Sequence, residues 1–320
     1  TMIEIQRGTR LRFENLCLVL DPDMVAGGSA ARYGFYFPGD PATGDTTQGL
    51  MFHNIAIWGP TSGTPPLGMT GVYITGTGTP KSAQNDKMRF EDCYMRGVDI
   101  GIHQDAIQAL RNVYDGGELF GYSHALKVSG GNFDIRNSVV GCDNLSSCVA
   151  IHMAWQAAAG QQETLLSNLF WETGTPATFL KIADGWSSAN SNYGNSGPIV
   201  VENSYMTNQR VGTAGSCQQL LLDAATQSMV VFRGNHINAT GDPQLDCGFD
   251  LKVSNPNTQP YTVIYWSENQ VNGFAPIAFM GVTVTGTKVK LLAVSIDQAT
   301  SATYNDKNLS RVKDGGETNF

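Results

Sequence analysis

The chain has 320 residues, with 20 lysines and arginines against 28 aspartates and glutamates, a net charge of −8, and 36 glycines with only 15% charged residues. That balance excludes a nucleic-acid partner held by whole-molecule electrostatics, and no basic cluster or RNA-type aromatic motif argues otherwise. No apolar run reaches the roughly 18 residues needed to span a bilayer, so membrane insertion is not expected, while the glycine content suits many tight turns.

In chain order, Thr1 to Ile5 alternates like a strand and lacks the basic segment of a signal peptide, so the chain is expected to begin inside a repeat. Residues 1 to 60 read as irregular early coils, with a loop from Asp21 to Arg32 and a turn-rich stretch from Gly39 to Gly49. A regular stack follows from residue 72, with leading strands centred on Tyr73, Gly101, Lys127, Ala150, Lys181, Leu221 and Lys252. Gln104 to Leu110 is the best short helical candidate, yet it falls where a strand, turn and strand are expected. From Gly281 the segment GVTVTGTKVKLLAVSID alternates strongly and reads as a final rung or a different β element. The expected division is a β-helix over 1–275 and a C-terminal β extension and tail over 276–320.

Each coil closes on a segment of the form apolar-x-Asn-x-apolar. It occurs as FENLCL, FHNIAI, FEDCYM, LRNVYD, IRNSVV, LSNLFW and VENSYM, which puts Asn15, Asn54, Asp92, Asn112, Asn137, Asn168 and Asn203 at one place in the repeat. FRGNHI and WSENQV depart from it, with Gly234 and Glu268 there. The interior steps of 20, 25, 31 and 35 residues indicate stacked supersecondary units with loops that grow on one side. A β-sandwich with chance strand similarity is the alternative. An amide repeated at one turn can bond to its copies above and below, so the column reads as structural.

Side chains alternate in a strand. The middle residues of the leading triplets (Tyr73, Gly101, Lys127, Ala150, Lys181, Leu221 and Lys252) are therefore expected to form one outward column, with His103, Ser129, His152 and Asp223 in the next. Six cysteines show no zinc spacing. Cys217 and Cys247 lie in neighbouring coils, where a disulfide is sterically allowed, but free buried thiols are the default reading.

Stacked coils of short strands, an asparagine column at a turn and loops of variable length resemble the right-handed parallel β-helix of pectate-lyase-like proteins. Within that group the chain resembles a phage tailspike capsular-polysaccharide depolymerase over residues 1 to 275. The resemblance implies a homotrimer, a bacterial surface polysaccharide as partner and a place on the extracellular virion tail. No catalytic motif is matched residue by residue.

Glycoside hydrolysis needs two carboxylates, one to protonate the leaving oxygen and one as nucleophile or base. The stack offers Asp105, Asp115, Glu118, Asp134, Glu163, Glu172, Asp184 and Asp223. Glu172 after Trp171, and Asp184 before Gly185-Trp186, are the favoured pair, because an adjacent aromatic can stack on a sugar and raise a carboxyl pKa. Asp223 is a second partner for Asp184, and Asp115 with Glu118 in DGGE forms another pair expected on a loop. Trp155 and Trp186 are candidate sugar platforms, or interface residues. The competing enzyme reading is β-elimination on a uronate, with His103, Lys127, His152 and Lys181 lining a groove for an anionic polymer. A non-catalytic glycan-binding fibre would use the same groove. No cofactor is expected, and no dense acidic cluster calls for a metal.

Overall fold

The computed structural model describes all residues except 21–32, 41, 45, 61–63, 66, 78–82, 107, 144–147, 154–162, 174–176, 183–197, 209–217, 226–228, 240–247, 255–261, 274–277, 286–288, 294–295, 299–301, 305–316 and 320. The backbone alone is described at 173, 208, 218–220, 224–225, 239, 248–250, 252–254, 262–263 and among the residues from 271 onward. The fold is an all-β right-handed parallel β-helix. Its first sheet stacks eleven parallel strands, one per coil: Ile3–Glu4, Tyr33–Gly39, Thr70–Gly76, Ile100–Gln104, His124–Val128, Cys148–Met153, Ala177–Ile182, Gln218–Ala225, Gly248–Ser254, Ala278–Thr285 and Ala302–Tyr304. Parallel pairing between successive coils replaces the antiparallel pairing that a sandwich requires.

The rest of each coil is bent. Four long strands, Arg12–Val19, Met51–Trp58, Arg89–Arg96 and Asn112–Gly121, run through the bend. Later coils split there into two strands, as in Phe133–Arg136 with Val139–Cys142 and Thr164–Ser167 with Phe170–Thr173. These form a second sheet before the bend and a third after it. Parallel pairing continues past residue 275 through Ala278–Thr285 and Val289–Ala293, whereas Glu317–Asn319 pairs antiparallel with Val289–Ala293.

The bend is made by left-handed residues. Asn15, Asn54, Asp92, Asn137, Asn168 and Asn203 have φ between +50° and +56°, and Gly234 (+63°) and Glu268 (+56°) occupy the same place in their coils. Asparagine tolerates this region better than other side-chain-bearing residues. Its amide then bonds along the column: Asn54 Nδ2 donates to Asn15 Oδ1 (2.7 Å), and Asn168 Nδ2 to Asn137 Oδ1 (2.7 Å).

Asn112 does not belong to this column. Register places Gly116 (φ +85°) beside Asp92 and Asn137, so DGGE lies inside a bent strand and not on a loop. Asn112 is instead fully buried at the strand start, donating to Gln104 Oε1 (2.8 Å) and Asn85 O (2.9 Å) and accepting from Met88 N–H (2.9 Å). Gln104 in turn donates to Ala109 O (3.1 Å) and Gly130 O (2.7 Å). It ends a strand, and no helix forms among the described residues of 104–110.

The core is a file of apolar side chains along the axis. Phe13, Phe52 and Phe90 stack at 5.1 and 4.7 Å, followed by Phe133 at 6.3 Å. Trp171 packs on Phe179 at 5.1 Å and Phe232 on Trp266 at 5.5 Å. Large apolar surfaces stacked out of water supply the main stabilisation. Cys93, Cys142 and Cys148 are buried thiols outside any disulfide and Cys17 is an exposed one, while Cys217 and Cys247 lie outside the described residues.

Candidate functional site

The first sheet carries one outward row. Backbone register joins Tyr36, Tyr73, His103, Lys127, His152, Lys181 and Asp223 in successive coils, and continues to position 252. Neighbouring positions are about 4.8 Å apart in such a ladder. The sequence reading split this row into two columns, and the structure corrects it. Gly101, Ala150 and Leu221 are not outward, and Ser129 is buried as well. The triplets of those three coils are two residues further along: His103, His152 and Asp223 are the true counterparts of Tyr73, Lys127 and Lys181. Gly101 has no room for a side chain, since a Cβ there would lie 2.5 Å from Ala125 O and 2.9 Å from Leu119 Cδ1.

The row changes character along the axis. Its early end is aromatic: Tyr33 stacks on Tyr36 (5.0 Å) and packs tilted against Tyr73 (4.9 Å), and Tyr73 stacks on His103 (4.9 Å). Tyr73 also donates its hydroxyl proton to Asp105 Oδ2 (2.7 Å). Its middle is basic, with Lys127, His152 and Lys181 half-buried in consecutive coils.

His124, which the sequence reading missed, completes this middle. It stacks on His152 at 5.2 Å, with His152 Nδ1 3.2 Å from His124 Nε2. Ser123 donates its hydroxyl proton to Asp99 O (3.0 Å), and its oxygen lies 3.0 Å from His124 Nδ1. With that proton committed, Ser123 Oγ accepts from His124 Nδ1–H, so His124 Nε2 carries the lone pair and accepts from His152 Nδ1–H. Burial, reinforced by His152, Lys127, His103 and Lys181, lowers the His124 pKa to about 3. His124 is thus neutral at neutral pH and orients its neighbour. Only the Ser-His pair at 123–124, beginning a strand, signalled it in the sequence.

The candidate carboxylates are scattered. Glu172 is half-buried on the third sheet, in register with Gly141 and Thr207, on a different face from Asp223. Trp171 is fully buried in the core, so it offers Glu172 no sugar platform; adjacent residues in a strand point to opposite sides. Asp115 sits on the second sheet, 3.6 Å from Arg89 and accepting from Asn137 Nδ2 (2.8 Å), while Glu118 lies beyond the bend beside Tyr94 and Val139. Asp105 and Asp223 share the first-sheet face but are four coils apart, about 19 Å. Glycosidase carboxylates stand about 5–9.5 Å apart. Asp184, Trp155 and Trp186 lie outside the described residues. Among the described residues no group of three or more His, Cys, Asp or Glu is placed to hold a metal ion.

No protein-family model matches the sequence, and no curated protein matches it. Among solved structures, the chain is similar to DFA-IIIase from Arthrobacter chlorophenolicus A6, with a TM-score of 0.39, 12% identity, and coverage of 92% of this chain and 66% of that one. A mutant of that enzyme in complex with DFA-III gives a TM-score of 0.39 at 12% identity, covering 90% and 66%. The same enzyme in complex with GF2 gives 0.38 at 12%, again covering 90% and 66%. The chain therefore spans 66% of the length of these structures. A likeness of this size fixes neither substrate nor site. The fold and the outward row define a parallel β-helix with a basic, imidazole-bearing face that begins in a run of tyrosines.

Proposed function

We propose that this chain binds an acidic bacterial surface polysaccharide along its first sheet and cleaves it, as a tailspike-type depolymerase that works as a homotrimer on an extracellular virion tail. One observation carries the reading: His103, Lys127, His152 and Lys181 stand in consecutive coils, beside a neutral His124 and after stacked tyrosines. Tyrosines offer flat faces to sugar rings, and lysines spaced along a strand ladder attract a polyanion.

The residues gathered here favour β-elimination. Lys127 and Lys181 neutralise the uronate carboxylate, which acidifies the proton on the adjacent ring carbon. An imidazole of the row, His103 or His152, takes that proton. The electron pair forms the ring double bond as the glycosidic carbon–oxygen bond breaks, and the leaving oxygen takes up a proton. Hydrolysis is the second reading, favoured by the register of Asp223 beside Lys181. In that reading Asp223 and Asp184 take the two carboxylate roles, while Glu172 stands on a different sheet.

The test is incubation with a panel of acidic and neutral capsular polysaccharides, recording ultraviolet absorbance of unsaturated uronates together with new reducing ends. Elimination predicts both signals, with a loss of about 100-fold or more in Lys181→Ala and in a His103→Ala/His152→Ala double variant. Reducing ends without absorbance move the chemistry to the carboxylates. Binding without either signal makes the chain a glycan-binding fibre.

A further inference from the structure

A second concave site lies at the far edge of the third sheet, where it turns back towards the first. It is a cleft of about 430 Å³ lined by Trp58, Pro60, Pro65, Arg96, Tyr122 and Asp143. That volume is within the range of small-ligand pockets, roughly 300–1,000 Å³. Its floor is backbone: Gly59 approaches Gly97 so closely that a Cβ on Gly59 would lie 1.6 Å from Gly97 O.

One wall is Trp58, 37% exposed although its ring is large and apolar. Its ring packs tilted against Tyr94, with centroids 4.8 Å apart and planes at 38°. The polar wall is a fixed pair: Arg96 Nη2 lies 3.3 Å from Asp143 Oδ1, and the guanidinium sits 4.6 Å from the centre of the Phe120 ring. Tyr94 is in strand register with Glu118, and burial, reinforced by Glu118, raises the pKa of its phenol. Both members of the pair remain partly exposed, at 44% and 27% of their side chains.

An indole beside a paired donor and acceptor suits one kind of ligand. The apolar face of a pyranose stacks on the ring, while vicinal hydroxyls accept from the guanidinium and donate to the carboxylate. Arg96 is already neutralised by Asp143, and Glu118 adds negative charge nearby, so the cleft opposes an anionic sugar where the first-sheet row attracts one. We infer that the Trp58–Arg96–Asp143 cleft is a binding subsite for a neutral pyranose unit of the polysaccharide. The inference deepens the saccharide reading above by assigning a neutral sugar next to the acidic one. Tyr122 lines the cleft and His124 stacks on His152 of the basic row, two residues and at most about 7 Å of backbone apart.

The probes are methyl glycosides of neutral hexoses, N-acetylhexosamines, deoxyhexoses and glucuronate, followed by saturation-transfer NMR on the whole protein. At least one neutral pyranoside is expected to bind. Trp58→Ala and Asp143→Asn, checked for unchanged unfolding midpoints, should each weaken it at least tenfold, and Arg96→Lys should do so if either fails to fold. The inference is overturned by no transfer from any neutral pyranoside, by preference for the glucuronide, or by binding that survives Trp58→Ala. A shift in sedimentation in Trp58→Ala also overturns it, because the indole would then be an interface between copies. Neutral rings bound here without any polymer cleavage would leave this subsite standing and remove the cleavage reading; cleavage with an empty cleft would do the reverse.

Discussion

Replacing Asn168 tests the reasoning about the bend most directly. Its backbone is left-handed, with φ of +53°, and its amide donates to Asn137 Oδ1 at 2.7 Å. Alanine in that conformation costs about 1–2 kcal/mol, and the lost, solvent-exposed hydrogen bond costs about 0.5–1 kcal/mol more. Asn168→Ala should therefore destabilise the protein by about 2 kcal/mol. Glycine removes the strain but not the loss of the bond, and adds its own backbone entropy, so Asn168→Gly should cost about 1 kcal/mol. The sequence makes the same replacement at Gly234, which occupies the same place in its coil with φ +63°. Equilibrium urea unfolding gives the comparison, read from midpoints with the slopes checked for equality. Alanine tolerated as well as glycine would refute the account, because backbone handedness would then not govern the column.

Two further predictions concern the interior and the site. Gln104→Ala removes the donor to Ala109 O and Gly130 O and the acceptor for Asn112, all buried, and should cost about 3 kcal/mol in the same assay; a loss under 1 kcal/mol would mean that water replaces the amide. His124 predicts a pH dependence. Its folded pKa, about 3, lies below the ordinary 6.5, so between those values the unfolded chain binds the extra proton. The contribution is present above pH 6.5 and falls away as pH drops towards 3, by about 3–5 kcal/mol in total. Thermal midpoints against pH should fall less steeply for His124→Gln than for the parent over that range, and parallel curves would refute the neutral, buried assignment.

Binding along the first sheet should also be sensitive to salt. Lys127 and Lys181 are half-buried cations that meet a polyanion across partly exposed surface, and such contacts weaken as the screening length shortens from about 10 Å at 0.1 M towards 3 Å at 1 M. Affinity measured by surface plasmon resonance for an acidic capsule should drop several-fold between 0.05 and 0.5 M sodium chloride. A neutral pyranoside in the Trp58 cleft should show no such drop. Equal salt response at the two sites would contradict their assignment to differently charged sugars.

The coil type, the strand positions and most of the bend were written locally. Alternation marks a strand wherever it falls, and Asn137, Asn168 and Asn203 advertise a left-handed turn through their own chemistry. Asn112 misled because Gly116 supplies the same handedness without an amide, and the amide four residues earlier is used inside the core. Register between coils is a different kind of information. It is set by hydrogen bonds between segments separated by loops of changing length, and a slip of two residues preserves every inward and outward alternation. Nothing local therefore distinguishes Gly101 from His103, Ala150 from His152, or Leu221 from Asp223 as the partner of Lys127 or Lys181. Only the stacked structure brought the histidines and lysines into one row, added His124 beside them, and placed Glu172 on another sheet with Trp171 buried behind it. The Trp58 cleft was equally invisible, because Trp58, Arg96 and Asp143 come from three coils and meet only once the coils are stacked.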